Sequence, residues 1–408
     1  MAGQLLKNQR PYAIVIGLDT LNGIQTVRIL TRHRIPVIAI AKDPGHHGCR
    51  TRLCEQILFT NTAGPELIQT LEELGPRFAE KPVLFPCADM NVKLVSQFRE
   101  RLLPWYHVIL PEAEVIETLM NKLNFYAYAN EHGFPIPQTR YLNSLADAEA
   151  AARELTFPCV LKPPMSATPE WEKNMKLKAY KLSNPDELRE FFNKSQAWAN
   201  NLIVQEWVEG PDSNLYSCNC YFNSNFEPLV TFVARKLRQW PPVTGESSLG
   251  EEVRDDAVLD ITLNLFRAAH LYGLGYVEIK KSSRSGKYFI IEPNIGRPTG
   301  RSPIAEAGGV ELLYTMYCDA LGLPLPEARE QKYLGVKWVD LRRDTQSALY
   351  HLREGDLTLK GWWQSLKGKK AHALFAWNDP GPFFGDLLRA LRLYMVPEER
   401  RRRDYRNL

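Results

Sequence analysis

The feature that most constrains this chain is a short polar break between two apolar-rich runs. The runs are Tyr276–Lys281 and Lys287–Pro293, and the break contains Gly286. Strand-like runs joined by a few residues that include glycine predict a β-hairpin, with the glycine in the left-handed conformation. Ile279 and the run Phe289–Ile291 are apolar, which favours a buried hairpin over a solvated edge.

The length of the hairpin loop determines which residues face each other. A three-residue loop ending at Gly286 pairs Ser283 with Lys287. On that register, Glu278 lies directly opposite Glu292. Two carboxylates placed across a hairpin are roughly 5 Å apart and repel each other unless a cation lies between them.

Asn294 extends this pair, because side chains alternate along a strand and Asn294 shares a face with Glu292. Two carboxylates and an amide oxygen are hard donors that suit a Mg²⁺ ion keeping waters and phosphate oxygens as its other ligands. A solvated hairpin with unrelated acidic residues is the alternative, and the apolar neighbours argue against it. We therefore predict a metal site at Glu278, Glu292 and Asn294.

The composition is that of a globular protein. The chain has 408 residues, 24% charged and 44% hydrophobic, which is enough for two or three domains. Its net charge of +4 is small, and the last twelve residues carry five arginines against three acidic residues. A general nucleic-acid-binding protein usually has a larger basic excess, so no nucleic-acid partner is expected.

Seven cysteines, an odd number widely spread along the chain, predict a reduced protein without a disulfide framework. The first twelve residues lack the apolar core of a signal peptide, and no run has the length of a transmembrane helix. These features together predict a cytoplasmic location.

The first segment alternates strands and helices. Buried strands are predicted at Ala13–Gly17, Pro36–Ala41 and Pro82–Pro86, with a helix at Ile24–Arg34. This order predicts a doubly wound α/β domain whose ligands bind beyond the carboxyl ends of its strands. Four polar residues lie at such ends and either hold part of a substrate or cap helices: Asp19, Asn22, Asp89 and Asn91.

Two other features of this segment predict no special chemistry. Gly17 and Gly23 do not form the GxGxxG pattern of dinucleotide-binding proteins. His46, His47 and Cys49 fit no zinc-binding spacing, so we interpret them as solvated loop residues.

The second segment begins near Glu112. A helix is predicted at Val115–Gly133, and it contains Asn121-Lys122. A short buried strand then ends at Lys162, whose ammonium group would project into a cleft because two prolines stop the strand. Met165–Lys178 is a polar stretch long enough to be a lid over a ligand.

The next segment runs from Leu202 to Asp212. Its backbone can offer hydrogen bonds to a flat heterocycle, Trp207 and Val208 can offer apolar surface, and Asp212 can accept hydrogen bonds from hydroxyl groups. Strands are expected at 215–221 and 228–234, followed by basic residues suited to phosphate or carboxylate and by a polar loop over 244–252. The basic residues are Arg235, Lys236 and Arg238.

These motifs occur in a recognisable order. Asn121-Lys122 is followed by Leu161-Lys162-Pro163, Gln205–Asp212, Arg235-Lys236 and the hairpin with Glu278, Glu292 and Asn294. Over Tyr12–Leu323, the chain resembles the ATP-grasp superfamily. The resemblance implies ATP held between two α+β lobes with Mg²⁺, two ions in number, for which Mn²⁺ can substitute.

The resemblance also assigns roles to residues. Lys122, Lys162 and either Lys236 or Arg235 would contact phosphates. Gln205 and the backbone of Glu206 and Val208 would meet the adenine, beside Trp207. Asp212 would meet the ribose, and Glu278, Glu292 and Asn294 would hold the magnesium.

The chain departs from the family pattern in two places. The stretch after Lys162 contains no glycine before Lys178, so no phosphate contacts are assigned to the lid. Asn294 is followed by Ile-Gly-Arg rather than Pro-Arg, which leaves either Arg297 or Arg301 in the role of the family arginine.

The finer resemblance is to carboxylate–amine ligases of the D-aspartate ligase type. It implies that ATP phosphorylates a carboxylate to an acyl phosphate, which an amine then attacks to form an amide, on an acceptor that can be a larger cell-envelope-type molecule. Arg301 would grip the carboxylate; the alternative is a structural ion pair with Glu306. A non-catalytic nucleotide-binding protein and an ATP-grasp carboxylase are the rival functions.

We expect α/β plus α+β architecture in four parts: a pre-ATP-grasp domain (1–111), a small lobe with the lid (112–203), a large lobe with the metal site (204–325) and a C-terminal α+β segment (326–408). In that last part, strands are predicted at Val336–Leu341 and near Phe375, and an amphipathic helix at Phe383–Tyr394. The arginines at 400–403 are interpreted as a solvated tail, with an anionic membrane as the less favoured partner. A homodimer through this segment is also left open.

Overall fold

The computed structural model describes residues 8–163, 179–195, 201–242 and 245–395, together with residues 6 and 174. Within these ranges the chain forms three β-sheets. Most of the predicted lid (165–178) and the basic tail (400–403) lie outside the described residues.

The N-terminal sheet has four parallel strands in the order β3-β2-β1-β4. Its apolar strands are fully buried except for β3, which the sequence analysis did not identify, and helices cover the sheet. The predicted α/β domain is therefore present. Its elements are β1 (Ala13–Ile16), α1 (Leu21–Arg32), β2 (Val37–Ala41), β3 (Gln56–Phe59), α2 (Glu66–Leu74), β4 (Val83–Pro86), α3 (Asp89–Gln97) and α4 (Arg99–Leu102).

The helix predicted at Val115–Gly133 is two helices, α5 (Ala113–Met120) and α6 (Lys122–Glu131). Asn121 breaks the run because its backbone is extended, and its side chain accepts a hydrogen bond from the backbone N–H of Leu123. Lys122 is thus the first residue of a capped helix and not part of a continuous one.

The second sheet is antiparallel, in the order β5-β8-β6-β7. Two helices pack together on it around buried alanine and leucine side chains. Its strand β8 continues beyond residue 203, where the predicted small lobe ends, so the four-part division of the chain stays a prediction. The elements are β5 (Thr139–Leu142), α7 (Leu145–Glu154), β6 (Cys159–Lys162), β7 (Tyr180–Leu182), α8 (Pro185–Ser195) and β8 (Leu202–Glu206).

The third sheet is the largest, with seven strands in the order β13-β12-β9-β10-β11-β14-β15. The prediction of a polar loop over 244–252 is wrong, because strand β11 occupies most of this stretch. Strands β10 and β14 hydrogen-bond to the two edges of β11. The elements are β9 (Leu215–Phe222), β10 (Pro228–Trp240), β11 (Glu246–Glu252), α9 (Asp256–Ala268), β12 (Gly273–Lys281), β13 (Tyr288–Ile295), α10 (Ser302–Ala307) and α11 (Leu312–Ala320).

The C-terminal segment completes this sheet and does not form a separate one. Its elements are β14 (Lys337–Val339), α12 (Leu341–Glu354), α13 (Leu359–Ser365), β15 (Lys370–His372) and α14 (Gly381–Met395). The strand predicted near Phe375 is wrong, because the strand in this region is β15, a few residues earlier, and pairs with β14. Within the described residues, no helix combines the length and apolar composition needed to cross a bilayer.

Helix α14 packs in an unusual orientation. Its buried side includes Gly385 and Asp386, whereas Phe384, Leu387 and Leu391 are about half exposed. The polar side of this helix therefore turns toward the protein interior, and its apolar side turns outward.

Candidate functional site

A cleft with a volume of about 650 Å³ opens over one face of the seven-stranded sheet. The loops after β1 and β4, the start of α6 and the C-terminal segment form its other walls. Three separate parts of the chain therefore enclose one site. Of the predicted site residues, the cleft brings together Lys122, Lys236, Glu278, Glu292, Asn294, Arg297 and Arg301.

The hairpin β12–β13 places Glu278 opposite Glu292, as the register predicts. The route to that register differs from the prediction, because Ser282, and not Ser283, pairs with Lys287 at the loop. A bulge between Glu278 and Ile279 then shifts the pairing by one residue, which brings Glu278 opposite Glu292. Gly286 closes the loop with a φ of 69°, the left-handed conformation that glycine tolerates best.

Glu292 lies close to three cations. Lys122 places its Nζ 3.7 Å from Glu292 Oε2. Burial opposes ionisation of this carboxyl group, but the charges of Lys122, Lys162 and Arg297 outweigh it and lower the pKa of Glu292. The carboxylate is therefore ionised at neutral pH and available to a metal ion.

Lys162 is buried at the end of β6 and is not among the residues that line the cleft, so its predicted projection into a cleft stays a prediction. Its Nζ donates to the hydroxyl of Tyr126 at 2.6 Å and to Gln205 Oε1 at 3.0 Å. Tyr126 in turn donates to the carbonyl of Ile291, so α6 links the small sheet to the hairpin β12–β13. Burial lowers the pKa of Lys162 to about 8, against the favourable charge of Glu292.

The predicted adenine-binding strand β8 is largely engaged within its own sheet. The N–H of Glu206 donates to the carbonyl of Gln138, and that of Trp207 donates to the carbonyl of Pro158. The indole of Trp207 lies between two lysines, with Lys181 Nζ at 5.1 Å and Lys280 Nζ at 5.2 Å from the ring centre. Trp207 therefore makes cation–π contacts with both lysines.

Asp212 is connected to the cleft through a short chain of polar contacts. Its Oδ1 accepts from Gln239 Nε2 at 2.7 Å, and Gln239 Oε1 accepts from Lys236 Nζ at 3.2 Å. Asp212 Oδ2 is buried without a partner among the described residues. A hydroxyl donor would satisfy this oxygen, as the predicted ribose contact requires.

Strand alternation decides between the two basic residues at 235 and 236. Lys236 is buried and faces the cleft. Arg235 points to the opposite face of β10, where its Nη2 pairs with Glu251 at 3.0 Å. The structure therefore does not bring Arg235 to the site, and its inclusion among the candidate catalytic residues is unsupported by the geometry.

Arg297 and Arg301 both line the cleft, but they make different contacts. Arg297 forms an ion pair with Asp89 and donates to Asn294 Oδ1 at 2.8 Å, which fixes that amide beside the metal hairpin. Arg301 places Nη2 3.9 Å from Glu278 Oε1 and leaves Nη1 without a partner among the described residues. The alternative pairing of Arg301 with Glu306 is wrong, since Glu306 lies beside His33.

The residues present fit a magnesium ion that shares its coordination with a nucleotide. Glu278 and Glu292 both turn into the cleft, and Asn294 Oδ1 keeps a second lone pair beyond its bond to Arg297. Within the described ranges, no three His, Cys, Asp or Glu side chains cluster to hold a metal. Phosphate oxygens and waters would therefore complete the coordination.

The segments that follow β1 and β4 contribute Asp19, Asn22 and Asp89 to the cleft, whereas Asn91 is buried in α3. The capping alternative fails for α1, because Thr20 is its cap.

Interpreting His46 and His47 as solvated is wrong: both are half-buried and line the cleft. Burial is the main reason that the pKa of His47 falls to about 3.

Sequence reasoning missed several cleft residues. Tyr276 lines the cleft two positions before Glu278 on β12, and strand alternation could have identified it. No pattern marks Ser247 or Trp338, because their positions depend on β11 and β14 joining the large sheet.

No protein-family model matches the chain. Among curated proteins, it is 23% identical over 255 residues to a D-aspartate ligase from Enterococcus faecium (strain Aus0004), covering 58% of this chain and 59% of that protein. It is 21% identical over 184 residues to a D-alanine–D-alanine ligase from Pseudomonas fluorescens (strain Pf0-1), covering 43% and 53%. The matched parts span less than two thirds of each relative.

Solved structures match more of the chain. An ADP complex of N5-carboxyaminoimidazole ribonucleotide synthetase has a TM-score of 0.63 at 14% identity, covering 86% of this chain and 87% of that one. A nucleotide complex of biotin carboxylase from Campylobacter jejuni has a TM-score of 0.62 at 14% identity, covering 80% and 74%. The chain therefore has the ATP-grasp fold. Within that fold, its sequence is similar to carboxylate–amine ligases of the D-aspartate ligase type.

Proposed function

We propose that this protein is an ATP- and Mg²⁺-dependent carboxylate–amine ligase that releases ADP and phosphate. The observation that carries the proposal is the cleft face of the large sheet. There, two facing carboxylates lie beside buried or half-buried cations, and several buried polar atoms lack partners among the described residues. Such atoms are costly to bury unless a ligand satisfies them. The similarity to D-aspartate ligase supports the class of reaction.

The proposed reaction has two steps. A carboxylate oxygen of the first substrate attacks the γ-phosphorus of ATP, and the bond from that phosphorus to the bridging oxygen breaks to release ADP. The nitrogen of the amine substrate then attacks the acyl carbon, the bond to phosphate breaks, and one N–H proton passes to solvent. No covalent bond to the protein is needed.

The protein would act by positioning and by electrostatic stabilisation. Lys122 lies 3.7 Å from Glu292, Lys162 is close enough to lower the pKa of Glu292, and Lys236 lines the cleft. These three lysines would neutralise the phosphates. Magnesium bound at Glu278, Glu292 and Asn294 would supply charge stabilisation of the transferring phosphoryl group. Gln205, the backbone of β8 and Asp212 would orient the nucleoside.

The partners that we propose are a small carboxylate and an amine, which can belong to a larger acceptor. All seven cysteines are free thiols, which supports work in a reducing cytoplasm. A dimer is a further proposal, supported by one structural neighbour, a biotin carboxylase domain described as a dimer.

The experiment that tests the function measures ADP and phosphate release from MgATP with panels of carboxylates and amines, singly and in pairs, with mass spectrometry of the products. Release that requires one carboxylate, with an amide mass only when an amine is added, is the expected result. AMP in place of ADP would contradict the mechanism.

A second candidate, a carboxylase, is favoured by structural neighbours that include a biotin carboxylase domain in complex with bicarbonate. ADP release that depends on bicarbonate, with a carboxylated product, would establish that alternative. Nucleotide binding without turnover under any pairing would instead favour a non-catalytic nucleotide-binding protein.

A further inference from the structure

Three buried hydrogen-bond donors on residues that line the cleft have no partner among the described residues. They are Arg301 Nη1, the indole Nε1 of Trp338 and the hydroxyl of Ser247. Their residues are respectively 7%, 2% and 9% exposed, so water is almost excluded from them. All three residues line the cleft.

The register of the large sheet brings two of these donors side by side. Gly250 on β11 pairs with Lys236 on β10 and with Trp338 on β14, so the three positions form one row across the sheet. A Cβ atom on Gly250 would lie 3.8 Å from Arg301 Nη1 and 3.6 Å from Arg301 Cδ. The arginine therefore lies over Gly250, whose partner on the neighbouring strand is Trp338.

The row also locates these donors relative to the proposed chemistry. Lys236, at one end of it, is a proposed phosphate ligand. Arg301 extends from Glu278, at 3.9 Å, to the position over Gly250. A group bound by Arg301 and Trp338 would consequently lie next to the metal and phosphate sites.

All three unpartnered groups can donate hydrogen bonds. An arginine guanidinium and an indole N–H donate hydrogen bonds and accept none, and a serine hydroxyl can donate. A neutral ligand would leave the guanidinium charge uncompensated on that side, whereas a carboxylate accepts several hydrogen bonds and carries the opposite charge. Glu278 is too distant for a hydrogen bond to Arg301 and would satisfy only the other nitrogen, Nη2.

Resting on the proposed ligase function, we propose that Arg301, Trp338 and Ser247 form the pocket for the carboxylate substrate, and that Trp338 is a specificity-determining residue within it. The C-terminal segment thus contributes directly to substrate binding. The pocket exists because β14 joins the large sheet beside β11.

The test is equilibrium binding, which does not depend on turnover. Acetate, malonate, succinate and both enantiomers of aspartate serve as probes, and saturable thermal stabilisation of the full chain is the readout. Trp338→Phe removes the indole N–H and keeps an aromatic ring in the same place. It should weaken carboxylate binding about tenfold to a hundredfold, since a hydrogen bond to a charged group is lost, while affinity for MgADP stays the same.

Trp362→Phe is the matched control, because the indole of Trp362 donates to Asp344 at 2.9 Å away from the cleft. This control should bind the carboxylate probes as the unmodified chain does. Equal weakening in both variants, or no weakening in either, would overturn the assignment of Trp338.

Two further results separate this proposal from the proposed function. No saturable stabilisation of the unmodified chain by any probe would contradict the carboxylate pocket, even where ADP release with another substrate upholds the ligase. Gly250→Val should crowd Arg301 and weaken probe binding more than Gly250→Ala, whose Cβ meets Arg301 at an ordinary contact distance. Equal effects of the two substitutions would contradict the position of Arg301.

Discussion

Glu292 is the residue on which the metal and phosphate assignments converge. It faces Glu278 across the hairpin and lies 3.7 Å from Lys122. Its environment keeps the pKa of the carboxyl group low even though burial opposes ionisation. A partly exposed carboxylate held charged in this way, beside a second carboxylate, is suited to binding a divalent cation.

Glu292→Ala should abolish ATP turnover and leave the fold intact. The reason is that the metal site loses one of its two carboxylates, while the strand pairing of β13 depends on backbone hydrogen bonds. ADP release and circular dichroism, measured on the same preparation, check this expectation. Turnover at the normal rate in a folded Glu292→Ala protein would refute the metal assignment.

Lys162 makes the site sensitive to pH. Its pKa is lowered to about 8, chiefly by burial, so the ammonium group loses its proton as the pH rises through that value. A neutral Lys162 cannot balance phosphate charge. Nucleotide affinity should therefore be constant below about pH 8 and fall above it, which equilibrium binding of ADP across the pH range will measure.

Two variants isolate the group responsible for this pH dependence. Lys162→Met should bind ADP more weakly and without the fall above pH 8. Glu292→Gln should move the fall in ADP affinity to lower pH, because Glu292 raises the pKa of Lys162. An unchanged pH profile of ADP affinity in Lys162→Met would assign the titration to another group.

The stability of the fold should change with pH in the opposite direction. Because the pKa of Lys162 is lower in the folded than in the unfolded state, Lys162 destabilises the fold at neutral pH, and this cost disappears as the pH rises from about 8 toward 10.5.

At the scale of elements, the break between α5 and α6 positions a charge that a continuous helix would place elsewhere. Asn121 accepts a hydrogen bond from the backbone N–H of Leu123 at 3.0 Å and so fixes the first turn of α6. Lys122 is the first residue of that turn and reaches Glu292. The cap therefore connects local backbone geometry to the phosphate site.

Asn121→Ala should lower the free energy of unfolding by about 0.5–2 kcal/mol, the usual cost of losing an N-cap. It should also raise the KM for ATP, because Lys122 loses its fixed position. Ser144→Ala is the matched control, since Ser144 caps α7 at 3.2 Å from the N–H of Asp147 and lies outside the cleft. Urea denaturation and ATP kinetics on both variants measure the two effects; an equal rise in KM would show that stability alone is responsible.

At the scale of the whole molecule, the C-terminal segment is held against the N-terminal domain as well as against the large sheet. Arg28 on α1 donates from Nε to Asp379 at 3.0 Å and from Nη1 to the carbonyl of Leu374 at 2.9 Å. Both charged side chains are nearly inaccessible to solvent. The enclosed cleft depends on this contact, because both parts contribute to its walls.

Arg28→Met should lower the free energy of unfolding by about 3–5 kcal/mol, since it leaves Asp379 buried and charged without its partner. The matched control is Arg101→Met, which breaks the solvent-exposed pair with Glu72 and should leave the free energy of unfolding nearly unchanged. Denaturation in urea measures both. Similar small losses in the two variants would mean that the interface is held mainly by apolar packing.

Much of the site followed from the sequence because local rules suffice there. Strand alternation and loop length placed Glu278 opposite Glu292, and alternation placed Asn294 on the same side. The sequence did not predict the bulge in the hairpin. Glu278 lies opposite Glu292 only because this bulge compensates for a loop that begins one residue earlier than predicted. The break before Lys122 was missed because apolar spacing is the same for one long helix and for two short ones.

The sequence by itself determined the alternation of strands and helices at the N-terminus and the pairing of Glu278 with Glu292 across the hairpin, because each depends on neighbours a few residues apart. The tertiary structure alone decided that a polar stretch becomes the strand β11, since only β10 and β14 supply its hydrogen bonds. It likewise decided that Lys236 and not Arg235 faces the cleft, and that Arg301 lies over Gly250, the residue that pairs with Trp338. Those contacts join residues far apart in the chain, and no local pattern encodes which distant strands will pair.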